Sequence, residues 1–229
     1  LLQHLAYGDA TPGIEFAPSV WEQLACTLFI CLIVGVFDFL YFRKLISRWW
    51  LCHAVGNLIV VVFSVADVWS CMKNPLRGSV GPYNMIPNYA IAAIHIYHMV
   101  AFNDLQVGDW VHHIVFGGII CSLGMGTYIG PVQNFVAIFL SGLPGGLDYC
   151  MLAAVKHKKL DPITEKRWNA RINVWIRAPG CMMAACCLYV SGLAQPVPEG
   201  RFIIYCLAGI MTAFNGLYYM QVVVGNTFR

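Results

Sequence analysis

The chain has 229 residues, of which 59% are hydrophobic and only 11% charged, with a mean hydropathy of +0.66 and a formal net charge of +3. Soluble domains carry roughly 25% charged residues, so this composition excludes a water-soluble globule. The net charge is too small, and too confined to the intervals between apolar runs, for a nucleic-acid binder. What remains is an all-α membrane protein, since apolar runs of about 20 residues cross a bilayer as helices.

Seven such runs follow one another at about 19–42, 49–72, 86–102, 110–129, 131–155, 172–193 and 202–224. Residues 1–18 are expected to form a non-membrane segment and 19–229 a single seven-span bundle. The chain opens on Leu1 with no initiator Met, as removal of a leader would leave it, so targeting is not readable there. Trp21, Tyr41, Trp49, Trp50, Trp69, Tyr128 and Tyr189 fall near span ends, where amphipathic aromatics settle at the interface. With the N-terminus outside, ten Lys and Arg lie in inner segments, among them Arg43, Lys44, Arg48 and the run from Lys156 to Arg171. Only Lys73, Arg77 and Arg201 lie outside. The excess of inner positive charge predicts an outer N-terminus and a cytosolic C-terminus. The ten cysteines lie in or beside apolar runs with no CxxC spacing, so they read as small hydrophobes rather than a disulfide framework.

Ionisable groups inside a bilayer cost about 2.5–3.5 kcal/mol each on insertion scales, so each needs a partner or a task. Asp38 and Asp67 stand near span ends, placed to reach interfacial water. His53 and Asn57 are four apart and share a helix face, as do His95 and His98 at a spacing of three. The stretch HIYHMVAFNDLQVGDWVHH, from His95 to His113, holds four of the seven histidines. Asp109 precedes His112 by three residues, so the two can touch on one helix. Adjacent His112 and His113 project about 100° apart, which lets one face a cavity while the other packs. In SGLPGG at 141–146, Pro144 removes a helix hydrogen bond and three glycines weaken the rest, predicting a broken helix beside a wet cavity or a packed kink. Asn134, Asp148, Arg171, Asn173 and Arg177 complete the polar set. Taken singly, each reads as glue between helices. Together, Asp109, His112 and His113 beside a histidine-bearing neighbour read as chemistry: a carboxylate orients an imidazole that takes a proton or accepts an acyl group.

The run IYHMVAFNDLQVGDWVHH resembles the tyrosine-containing helix, short loop and acidic-x-x-His-His opening of TLC-domain proteins, which include the TRAM proteins, the longevity-assurance ceramide synthases and the ceroid-lipofuscinosis membrane protein. SRWWLCHAVGNLIVVVFSV is similar to the start of that family's second span, and NARINVWIRAPG to the Asn/Arg-containing start of a later one. The resemblance covers roughly residues 40–224. In FLSGLPGGLDYC, Pro144, Gly145 and Gly146 stand where ceramide synthases carry a His and a first Asp, leaving Asp148 as the match. The chain therefore resembles the wider family more than its ceramide synthase branch.

The resemblance implies a seven-span TLC-type bundle in the endoplasmic reticulum, with a mitochondrial or plastid membrane as the alternative. It implies a lipid-handling protein that transfers an acyl group from acyl-CoA to a lipid amine or hydroxyl. His112 or His113 would be the base or acyl acceptor, Asp109 its orienting group, and His98 and Asp148 their support. Asn134, Arg171, Arg177, His53 and Asn57 would contact substrate, and the basic run from Lys156 to Arg171 would attract CoA phosphates or anionic head groups. Neither metal nor resident cofactor is expected; membrane lipids and acyl-CoA are the expected ligands. The other reading is a non-catalytic lipid-binding or sensing protein, a homo-oligomer or a subunit of a larger membrane complex. A retinal protein is excluded because the last span, FIIYCLAGIMTAFNGLYYMQVVV, has no lysine. A di-iron oxygenase needs more histidines. A zinc hydrolase using His95, His98 and His112 or His113 with Asp109 or Asp148, or a haem between His53 and His98 or His113, has only residue types in its favour.

Overall fold

The computed structural model describes residues 18–114, 118, 121–195 and 199–227. The expected non-membrane segment 1–18 lies outside these residues except for Pro18. Among the described residues there is no strand. Apart from a 3-10 turn at Pro75–Arg77, the described residues form eight helices: α1 Val20–Phe42, α2 Arg48–Lys73, α3 Ile86–Ala101, α4 Val107–His112, α5 Cys121–Thr127, α6 Val132–Lys156, α7 Pro162–Ala194 and α8 Glu199–Thr227. Five of them, α1, α2, α6, α7 and α8, are long and apolar enough to cross a membrane. This is an all-α integral membrane protein. The 16-residue α3 is shorter than those five, and the fourth expected span, 110–129, runs across residues outside the description.

Local chemistry sets the helix starts. Ser19 caps α1 in a reciprocal box: its backbone N–H donates to Glu22 Oε2 at 2.7 Å, and Glu22 N–H donates to Ser19 Oγ at 3.3 Å. Asp161 caps α7 by accepting from Thr164 N–H at 2.9 Å, and Pro162 follows at the first helical position, where its missing N–H costs nothing. Helix α7 therefore begins ten residues before the span expected at 172, and much of the basic run read as a loop is helix.

The long helices alternate in direction, as contacts at the two ends show. At one end, Ser47 ahead of α2 is hydrogen-bonded to His157 beyond α6 at 2.8 Å. At the other, Ser79 Oγ donates to Ser191 Oγ near the end of α7 at 2.5 Å. Gly130, at φ +101°, turns the chain into α6 there with its Cα against the Ser79 backbone, which leaves no room for a side chain. Helix α2 lies between two apolar clusters. One joins Ile30 and Val34 of α1, Val60 of α2 and Ala93 and Ile94 of α3. The other joins Val68 and Cys71 of α2, Phe135 and Ile138 of α6 and Leu188 of α7. Outward-facing Phe29, Leu32, Val62, Trp69, Ile210 and Phe214 are exposed, as befits helices whose solvent is lipid. All ten cysteines are free thiols: Cys52, Cys71, Cys181 and Cys187 are buried, while Cys26, Cys150 and Cys186 lie on exposed faces.

SGLPGG does not break its helix. Helix α6 runs through it with one π turn at Ile138–Gly142, the adjustment that absorbs Pro144. The glycines permit close packing on α2: a Cβ on Gly145 would stand 2.9 Å from Asn57 Nδ2, and one on Gly146 3.3 Å from Asn57 Cβ. The packed kink is the alternative that the structure supports.

Asp38 does not reach interfacial water. It is 2% exposed, and Arg48 grips its carboxylate with Nε at 2.8 Å and Nη2 at 2.5 Å while Tyr97 OH donates at 2.6 Å. One carboxylate thus ties α1, α2 and α3 together.

Candidate functional site

Five histidines meet at the end where α2, α4 and α7 begin and α3 and α6 finish. Helix α2 presents His53 one turn after Trp49, and α3 presents His95 and His98 in its last two turns. The chain then reverses through 102–106, and α4 brings His112 and His113 back beside them. The His53 and His98 ring centroids are 3.8 Å apart, those of His95 and His112 5.2 Å, His95 and His113 5.1 Å, and His98 and His113 5.5 Å. Aromatic neighbours close the cluster. Trp49 stacks on His98 at 4.2 Å, Tyr149 of α6 stacks on His53 at 4.3 Å, and Phe102 stands edge-on to both Trp49 and His98.

Backbone carbonyls set two tautomers. His53 Nδ1–H donates to Trp49 O at 3.1 Å and His95 Nδ1–H to Ile91 O at 2.7 Å, since a carbonyl only accepts. In a neutral ring this leaves the lone pair on Nε2. His98 and His113 are 0% and 2% exposed. Four buried ring nitrogens in the cluster have no hydrogen-bond partner: His95 Nε2, His98 Nδ1, His98 Nε2 and His113 Nδ1. A buried polar group left without a partner is costly, so these nitrogens are open to a hydrogen-bonding ligand. His112, in contrast, is exposed. The rings meet through faces and edges rather than converging nitrogens, and among the described residues no group of three His, Cys, Asp or Glu is disposed to hold a metal ion.

The remaining predicted residues divide by place. Asp109 stands at the third position of α4 and accepts from Gln106 N–H at 2.9 Å, so this carboxylate secures the start of the helix that carries His112. Asp148, beside Tyr149 in sequence, turns toward α7, where Asn169 Nδ2 donates to it at 2.8 Å. Asn57 accepts from Ser141 Oγ at 3.0 Å in the α2–α6 contact. Arg171 is exposed with its guanidinium 5.0 Å from the Trp168 ring centroid, away from the cluster. Asn134 lies at the opposite end, where its Nδ2 donates to Asp67 Oδ2 and to Asn84 O, both at 2.6 Å. Nearby, burial pushes the Tyr83 hydroxyl well above its usual range and keeps it a donor to Gln133 Oε1 at 2.8 Å. Arg177 sits in a π turn of α7 and faces α6 and α8.

Phe102 and Tyr149 are members of the site that the sequence alone does not single out, and Trp49, read from the sequence as an interfacial aromatic, stacks in the site instead. For two of them a signal exists: Trp49 lies four residues before His53 and Phe102 four after His98, the spacing of one helix face. No protein-family model, curated protein or solved structure matches the chain. The fold and site define an all-α integral membrane protein whose polar centre is five histidines walled by aromatic rings.

Proposed function

We propose that this protein handles lipids and transfers an acyl group from acyl-CoA to a lipid amine or hydroxyl at the histidine cluster. The observation that carries this reading is the set of four buried imidazole nitrogens with no partner. Histidines serving as glue would be hydrogen-bonded across the helices they join, as Asn134 and Asn57 are.

In this scheme exposed His112 meets the substrate. The acceptor's nitrogen or oxygen attacks the thioester carbonyl and gives its proton to the imidazole. As the tetrahedral intermediate collapses, the imidazolium returns that proton to the departing sulfur, leaving acylated lipid and CoA thiol. In the alternative order the imidazole takes the acyl group first and passes it to the acceptor. His113 and His95 hold His112 in place with His98 behind His113, and Asp109 acts on it electrostatically while securing the start of α4. The bundle spans the membrane seven times. The alternating directions of α1, α2, α3, α4–α5, α6, α7 and α8 support this count, and the basic residues near the cluster support a cytosolic placement, where acyl-CoA is found. The endoplasmic reticulum is the proposed membrane.

The test is transfer of a labelled acyl chain from acyl-CoA to a panel of lipid amines and lysolipids by purified protein. Wild type gives product, and His112→Ala/His113→Ala loses it by the roughly 10²–10⁴-fold that a general base supplies. If wild type makes no product while lipid still co-purifies, the catalytic reading falls and the lipid-binding or complex-subunit role takes its place.

A further inference from the structure

We propose that Arg177 is the anion receptor of a ligand site within the membrane, and that its ligand is the carboxylate of a long-chain fatty acid. This rests on the lipid-handling half of the reading above and is independent of acyl transfer.

Arg177 lies fifteen residues beyond Pro162, about 22 Å along α7 at 1.5 Å per residue. Its contacts come from two other long helices. Nη2 donates to Leu140 O of α6 at 2.7 Å and to Asn215 Oδ1 of α8 at 3.4 Å, and the guanidinium lies over the Tyr219 ring, 4.5 Å from its centroid. The Leu140 carbonyl is open to it because Pro144, four residues on, has no N–H to give. SGLPGG thus supplies an acceptor as well as a packing surface.

Every one of these acceptors is neutral. A guanidinium stays charged inside a protein, and the chain shows at Arg48 how it offsets one, with Asp38 gripped by both Nε and Nη2. That pair is a direct ion pair. Arg177 has no such carboxylate, and its Nε is buried with no partner. Asp148 acts on it only through space, its own Oδ1 being bonded to Asn169. A fixed, partly unsatisfied cation between three helices attracts an anion.

No Arg or Lys is among the groups that act on Arg177, so one permanent cation matches one negative charge. A phosphate dianion carries more charge than one guanidinium offsets. The site borders the lipid-facing surface: Arg177, Asn215 and Tyr219 are themselves half-buried, and Trp175, Phe214 and Tyr218 on the adjoining outward faces are exposed. A carboxylate on an alkyl chain therefore fits both the head site and its surroundings. Arg177 is also within electrostatic reach of His112 and of Tyr149, whose ring stacks on His53. A head group bound there lies within electrostatic reach of the cluster.

The experiment measures binding of radiolabelled palmitate, hexadecanol and hexadecyl phosphate to the full chain in nanodiscs. Hexadecanol has the palmitate chain length without its charge. Wild type is expected to hold palmitate at least about tenfold more tightly than hexadecanol, a ratio that falls toward one in Arg177→Gln. Arg177→Lys, which keeps the charge but loses the planar fork, is expected between the two. Equal wild-type affinity for palmitate and hexadecanol overturns the proposal without reference to any variant. Tighter binding of hexadecyl phosphate than of palmitate overturns the carboxylate assignment, and an undiminished ratio in folded Arg177→Gln overturns the residue. Absence of acyl transfer with the palmitate ratio intact removes the catalytic proposal and leaves this one standing.

Discussion

Asp38→Asn removes the charge from the carboxylate that joins the first three helices. The side chain of Asp38 is 3% exposed and that of Arg48 28%. Breaking a buried ion pair by neutralising one partner costs about 3–5 kcal/mol, mostly because the other charge is left uncompensated. Arg48 is partly exposed and lies 4.4 Å over the Phe102 ring, so it can turn toward the interface, and the introduced amide can still accept from Tyr97. The lower end, about 3 kcal/mol, is therefore expected. At about 2–4 °C per kcal/mol for a chain of this size, Tm falls by about 6–12 °C in a melt followed by circular dichroism in one fixed detergent. The paired variant Asp38→Leu/Arg48→Met recovers most of the loss, because no charge is then stranded. Equal melting of wild type and Asp38→Asn, within about 2 °C, would refute the reasoning, since the pair would then lie in a more watery place than its burial implies.

Three glycines give sharper packing tests. A Cβ on Gly180 of α7 would overlap the Phe139 ring of α6, so Gly180→Ala overpacks that contact at about 1–3 kcal/mol. Combining it with Phe139→Leu should return part of the loss, read as a coupling in a double-mutant cycle. Gly130 and Gly81 both have positive φ, +101° and +86°, but only Gly130 meets the Ser79 backbone. Gly130→Ala is therefore expected to lower Tm clearly more than Gly81→Ala, which carries the conformational cost alone, about 1 kcal/mol. Equal losses would mean that the close approach to Ser79 is not what requires glycine.

The helices are legible because the composition leaves few other states for runs such as FSVADVWSCMK or FICLIVGVFDF, and the histidine cluster because four of its rings sit within nineteen residues. What the sequence does not disclose is which polar residue faces which. Asp38 reads as interfacial from its place near a span end, yet Arg48, ten residues on and in the sequence only an orienting charge, folds back onto it across the turn between α1 and α2. Asp148 and Asp109 read as supports for the histidines. Their rotation about α6 and α4 depends on packing, and one meets Asn169 while the other caps its own helix. Asn134 shares a residue type with Asn57 but sits at the far end of the bundle, a distinction of helix direction rather than of local pattern. Tyr149 joins the site for the same reason that Asp148 leaves it: neighbours on a helix point about 100° apart.

The measurement that tests the central claim most directly is the acyl-transfer rate and the Tm of His112→Ala taken together. Chemistry at the cluster predicts a rate lowered by about 10²-fold or more with only a small fall in Tm, because His112 is exposed and meets His95 and His113 by ring contacts. An unchanged rate, or a rate that falls only as far as Tm and folded protein fall, would contradict the account and make these histidines part of the bundle's packing.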